Sequence, residues 1–143
     1  MPPRPFAATL ALILLCSSVF AQESASAPAS LALELNALQP AEAGCRVTFL
    51  ATNRLGGQLD RAAVELALFD AAGTIDRIVT LDFKDLSKDK TKVLQFELAG
   101  LQCDGLGRLL VNDITVCEGA ISPSTLCLDA LQTSTRLDLD FGV

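Results

Sequence analysis

The 143-residue chain contains no histidine, no tryptophan and no tyrosine, and its one methionine is Met1. These gaps remove whole chemistries. Triads built on histidine, histidine-ligated zinc, haem held by histidine and methionine-based copper sites all lack their residues. Basic side chains are few: 11 stand against 17 acidic ones, for a formal charge of −6 and an isoelectric point near 4.5. Without a basic stripe, nucleic acid and anionic membrane are poor partners. A G-x-S-x-G serine elbow, an N-x-S/T sequon and a glycine-rich phosphate loop are absent as well, and no cofactor is expected. What remains is apolar. Hydrophobic residues make up 50 % and mean hydropathy is +0.42, too apolar for a disordered chain and long enough for one domain.

The first segment reads as an address. Arg4 gives Met1–Pro5 one positive charge, an apolar run follows from Phe6 to Val19, and Val19-Phe20-Ala21 ends in a small-x-small pattern. This layout predicts a signal peptide over 1–21, cleaved after Ala21, and a periplasmic or secreted protein. The run is shorter than the ~20 apolar residues a membrane anchor requires. Cys16 follows Leu15 rather than a small residue, which argues against lipidation. No stable membrane anchor is therefore expected after cleavage. Losing Arg4 and Cys16 leaves 10 basic against 17 acidic residues, a charge of −7, and four cysteines: Cys45, Cys103, Cys117 and Cys127. An even number in an exported chain reads as two disulfides. None of the four has C-x-x-C spacing, so neither a thioredoxin-like site nor a four-cysteine zinc site has support.

Residues 22–30, rich in Ala and Ser, read as a flexible tether, and 31–143 as the folded domain. From Leu31 onward the apolar period is two. Leu31, Leu33 and Leu35 share a face, as do Cys45, Val47, Phe49 and Ala51; Val64, Leu66 and Leu68; Leu94, Phe96 and Leu98; and Leu137, Leu139 and Phe141. Turn residues separate these runs at Pro40–Gly44, Asn53–Gly57, Asp70–Gly73, Leu86–Lys90 and Cys103–Gly107. The connections are too short for crossover helices. The pattern predicts an all-β protein, an Ig-like antiparallel β-sandwich of about seven strands. Asn112 and Asp113 interrupt the strand over Leu106–Cys117, where a bulge or bend, or a strand covered on both faces, is expected. Ser122 as N-cap and Pro123 at the first helical position predict a two-turn helix leading to the last strand.

Strand parity sorts the cysteines. If consecutive strands alternate in direction, Cys45 and Cys103 lie at one end of the sandwich, and Cys117 and Cys127 at the other. A bridge requires Cα atoms within about 7 Å, so the expected pairs are Cys45–Cys103 and Cys117–Cys127.

Candidate chemistry is thin. Asp82 with Asp85, and Asp138 with Asp140, are paired carboxylates. The second pair lies on one strand face, yet no loop offers the six to eight oxygens of a calcium site, and an acidic solvent face also discourages edge aggregation. The densest charge cluster holds Lys84, Lys88, Lys90 and Lys92 among two aspartates. A solvated hairpin accounts for it; the sharper reading is a partner-docking loop that steers an acidic partner. The phenylalanines fall mostly at core-facing positions, so no aromatic sugar platform is visible.

The segment Cys45–Gly119, and above all Gln95–Cys117, resembles small exported proteins of alphaproteobacteria, some of them labelled Tat pathway signal-sequence domain proteins. The elements T-N-x-L at Thr52–Leu55 and F-D-x-x-G at Phe69–Gly73 resemble those of extracytoplasmic Ig-like modules. The resemblance implies no catalytic residues. A Tat signal requires twin arginines and MPPRP has Arg4 alone, so export through Sec is expected. The chain therefore reads as a non-enzymatic binding or accessory module with an envelope protein as partner. The alternative is a thiol-disulfide or small-ligand-binding protein with one labile bridge, Cys103–Cys117 or Cys117–Cys127. Reactive thiols need an electropositive setting; Arg108 is the one cation near in sequence, among Asp104, Asp113 and Glu118.

Overall fold

The alternating leucines Leu31, Leu33 and Leu35 are all buried, on the inward face of the first strand, in a computed structural model that describes residues 1–3 and 25–143. Residues 4–24, with nearly all of the expected signal peptide and the start of the expected tether, lie outside the described residues. Eight strands follow: β1 (Ser30–Pro40), β2 (Gly44–Arg54), β3 (Leu59–Asp70), β4 (Ile75–Leu86), β5 (Thr91–Ala99), β6 (Leu106–Gly119), β7 (Leu131–Thr135) and β8 (Asp140–Gly142). They form two four-stranded sheets, β5-β2-β1-β7 and β4-β3-β6-β8. The fold is an all-β sandwich.

The pairing is antiparallel except at one edge of each sheet, where β7 runs parallel to β1 and β8 parallel to β6. This departs from the expected wholly antiparallel sheets, and alternation explains it. β1 and β7 are both odd strands and β6 and β8 both even, so whenever such strands become neighbours they must run the same way. β7 has no counterpart among the expected strands, and where Leu137-Leu139-Phe141 predicts a full strand, β8 takes up only Asp140–Gly142. In β6, registers shift against β3 between Val111 and Asp113 and again between Ile114 and Val116, so the expected bulge is present, twice.

The helix differs from expectation. Ser122 and Pro123 are joined by a cis peptide in a turn, and α1 occupies only Leu126–Asp129, entered from Thr125. Both its ends are fixed. Cys127 is bonded to Cys117 of β6, and Ala130 O accepts the Leu31 N–H of β1, which leaves room for a single turn.

Between the sheets, Phe49 of β2 meets Phe83 of β4 and Phe141 of β8, each at 5.6 Å between ring centroids, and Phe96 of β5 at 6.3 Å. Two rings come from each sheet. Tilted rings at these distances are the favoured aromatic geometry. Cys45–Cys103 joins the start of β2 to the 3-10 turn before β6 with Cα atoms 5.1 Å apart, and Cys117–Cys127 joins β6 to α1 at 6.1 Å. Both pairs are those parity predicted.

Asn53 is a fully buried polar side chain in this core. Its amide donates to Gly57 O at 2.9 Å and Leu86 O at 2.8 Å, and its Oδ1 accepts the Leu55 N–H at 3.0 Å. The β2–β3 connection is thus tied to the end of β4. Gly57 is obligatory beside it, because a Cβ there would collide with Ala120 O. At the opposite end, Asp70 Oδ1 accepts the N–H groups of Ala72 and Thr74, both at 2.9 Å, and Gly73 at φ +82° completes the β3–β4 turn.

Asn53→Ala leaves one N–H and two carbonyls unpaired in the interior. It is expected to cost about 2–4 kcal/mol in urea unfolding of the oxidised protein. For the bridges, sequence separations of 58 and 10 correspond to about 4 and about 3 kcal/mol of loop-closure stabilisation. The Cys45→Ser/Cys103→Ser pair should therefore unfold at lower denaturant than the Cys117→Ser/Cys127→Ser pair.

Candidate functional site

The lysine cluster is split by local geometry. Asp82 Oδ1 accepts the backbone N–H of Lys84, which sits at φ +60° in a bulge of β4, and Lys84 Nζ turns back to Asp82 Oδ2 at 2.9 Å. Arg61 of β3 reaches the same oxygen at 3.2 Å. Lys92 of β5 donates to Asp85 Oδ1 at 3.2 Å and to Asp85 O at 2.8 Å. Lys84 and Lys92 are therefore held against carboxylates on the two flanks of the hairpin. Lys88 and Lys90 stand exposed on the turn with Asp89 between them, and Lys88 faces Arg54 and Ala27–Ala29 across a cleft of about 480 Å³. Ser87 and Lys90 have S-x-x-K spacing. They lie across this turn, where Lys90 is exposed and its backbone N–H donates to Ser87 O.

The disulfides sit in acidic surroundings. Cys117 is half-buried and lines a cleft of about 280 Å³ with Asp113 and Asp129, whereas Cys127 is fully buried. Cys103 is half-buried beside Glu42 and Asp104, and Cys45 is fully buried. An attacking thiolate would meet carboxylates at either accessible sulfur and would have to expel a thiolate into apolar surroundings. Both features slow exchange. Asp138 and Asp140 are exposed beside Gly107, and among the described residues no three His, Cys, Asp or Glu side chains converge as metal ligands would.

A different surface emerges on the outer face of the β4-β3-β6-β8 sheet. Leu66 and Leu68 point inward, so Ala67 points out. Register then sets Ile78 of β4, Ala67 of β3, Leu110 of β6 and Gly142 of β8 side by side, a row without one polar side chain. Ile78 is 54 % exposed, while Ala67, walled in by its neighbours, is 4 % exposed. The adjacent row is Ile75, Phe69, Arg108 and Asp140, with the Arg108 guanidinium 5.8 Å from the centre of the Phe69 ring. On the other side lie Thr80, Glu65 and Asp113, where the Asn112 amide donates to Glu65 at 2.6 Å. Sequence reasoning passed over this face. Its one signal was Phe69, the phenylalanine out of phase with Val64, Leu66 and Leu68.

The outer face of the other sheet is mixed: Val93 and Leu50 lie opposed on it, Val93 62 % exposed, among polar pairs. Gln95 donates to Thr48 at 3.1 Å, Thr52 meets Thr91 at 2.7 Å, and Arg136 pairs with Glu34 at 2.7 Å. The Asn36 amide, followed by Arg136, holds the Glu34 carboxyl below its ordinary range.

No known protein family, curated protein or solved structure matches the chain.

The Lys84 ammonium, with the Lys84 N–H and Arg61, lowers the Asp82 carboxyl to about 2. A group whose folded value lies below its unfolded value near 3.9 stabilises the fold above that pH, and loses the contribution as pH falls toward 2. Acid unfolding of Asp82→Asn is expected to show a shallower loss of stability between pH 4 and about 2 than the unmodified protein.

Proposed function

We propose that this protein is a non-enzymatic binding module that works outside the cytoplasm by holding another protein against an outer surface of the sandwich. The two disulfides fit an oxidising, extracytoplasmic compartment, and no helix among the described residues is long and apolar enough to cross a membrane. The observation that carries the binding reading is the apolar row Ile78–Ala67–Leu110–Gly142 on an exposed sheet face. A face of this kind on a small exported domain is an ordinary surface for protein contact. The lysine turn supports the reading less, because two of its four cations already have carboxylate partners.

Cross-linking capture with the oxidised protein, from envelope extracts of the cells that make it, tests the reading when run with and without reductant. A protein partner that persists through the cross-link after reduction is the expected result. Partners joined through mixed disulfides alone, and released by reductant, would replace the binding module with a thiol-exchange protein.

A further inference from the structure

The sandwich has four sheet edges, and they differ in what they offer a further strand. β8 is three residues long and β7 five. Beyond Leu110, β6 has no β8 residue beside it, but two bulges break its line, Asp113 interrupts it, and Cys117 ties it to α1. β5 leaves Val93–Phe96 uncharged between Lys92 and Glu97, but its outer side is polar around Val93, where Gln95 bonds Thr48 and Glu97 pairs with Arg46. Bulges and charges of this kind are how natural edges avoid pairing.

β4 guards only its ends. Its register with β3 is regular from Arg77, opposite Leu68, to Asp82, opposite Ala63, and shifts on either side of that stretch. At one end Arg77 Nη1 donates to Ala99 O at 2.8 Å, and at the other Lys92 Nζ donates to Asp85 O at 2.8 Å, each tying β4 to β5. Between these fastenings, Ile78-Val79-Thr80-Leu81 carries no charge, no proline and no bulge. Three of its four residues are β-branched, the composition that suits an added strand.

We propose that the edge of β4 left unpaired among the described residues, between Arg77 and Asp82, accepts an extended segment of a partner protein as a fifth strand of its sheet. The segment carries apolar or β-branched residues on its outward side and a net positive charge. This inference rests on the binding-module reading and names its surface. Main-chain hydrogen bonds to β4 supply affinity, and an apolar residue opposite Ile78 extends the row Ile78–Ala67–Leu110–Gly142 by one strand.

Charge selects the occupant. Asp76 and Asp82 flank the stretch and are paired with Arg77, Arg61 and Lys84, while Glu65 and Asp70 stand on the neighbouring strand, so four carboxylates meet three cations and the edge keeps an acidic excess. A second copy would bring the same acidic excess, 17 acidic against 11 basic residues in the whole chain. Pairing of charges between copies at this edge would set Lys84 opposite Asp76 or Asp82, carboxylates that already have cations. In a two-fold antiparallel pairing, opposed residues share a face and so differ by an even number, and Arg77 can never lie opposite Asp82 of another copy. A foreign strand has no such restriction and can bring cations of its own to the acidic excess, Glu65 above all, which faces the Asn112 amide and no cation.

The test is an amide chemical-shift titration of the oxidised protein with two synthetic peptides. One is Lys-Thr-Val-Thr-Val-Thr-Lys with blocked ends, and the other is the same peptide with Glu at both termini. Expected are saturable shifts centred on residues 77–82 with the lysine peptide, binding about fivefold weaker or worse with the glutamate peptide at low salt, and loss of binding in Ile78→Lys. Ile78 is 54 % exposed, so that variant should keep its melting temperature, which separates lost binding from lost folding. Shifts centred elsewhere, no shifts at millimolar peptide, or unchanged binding by Ile78→Lys would each overturn the proposal. Concentration-dependent dimerisation abolished by Ile78→Lys would put a second copy on the edge and overturn the choice of occupant. A captured envelope partner indifferent to Ile78→Lys would sink the β4 edge while leaving the binding-module reading intact.

Discussion

The buried amide of Asn53 is the constraint from which one end of the sandwich, that of the β2–β3 connection, is organised. One side chain satisfies a carbonyl of its own loop, a carbonyl at the end of β4 and the N–H of Leu55. Its backbone adds two more links, donating to Lys90 O and accepting from the Asp89 N–H. Five hydrogen bonds thus bring β2, the β2–β3 connection and the β4–β5 turn together at one residue. A buried polar group is stabilising only when every partner is in place, so this arrangement fixes the path of three chain segments at once. Among the described residues no buried side-chain nitrogen or oxygen lacks a partner, which leaves no polar group held in reserve inside the sandwich.

Strand alternation organises the other features. It sets the cysteines at opposite ends and forces the two parallel pairings where strands of equal parity meet. The bridges then reinforce what direction has decided. Each clips a connection between the sheets, the 3-10 turn ahead of β6 in one case and α1 after β6 in the other, to a strand already in a ladder.

Much of this was legible in the sequence because period two marks half-buried strands. The leucines of β1, the Cys45–Ala51 face of β2 and the Val64–Leu68 face of β3 are all buried as their spacing requires. β7 was illegible for a physical reason. Its segment Leu131–Thr135 reads LQTST, and an edge strand with little core beneath it needs few apolar residues. The helix start was misread because Ser122-Pro123 is an N-cap signature and also an ordinary turn. Propensity cannot express the two tethers that confine α1 to Leu126–Asp129. The T-N-x-L element stands out as a resemblance, but no local pattern shows that the amide of Asn53 lies next to Leu86, thirty-three residues away. The exposed row on the β4-β3-β6-β8 sheet was hidden for a similar reason, since it draws one residue from each of four separated strands.

The aromatic centre bears on how firmly the margins of the sheets are held. Phe83, Phe96 and Phe141 come from the edge strands β4, β5 and β8, and each is within the cluster around Phe49 or next to it. An edge strand has ladder partners on one side and would ordinarily peel from that margin. Here each of the three is pinned from beneath by a ring seated between the sheets. β4 is therefore seated from within by Phe83, although its outer backbone has no ladder partner among the described residues.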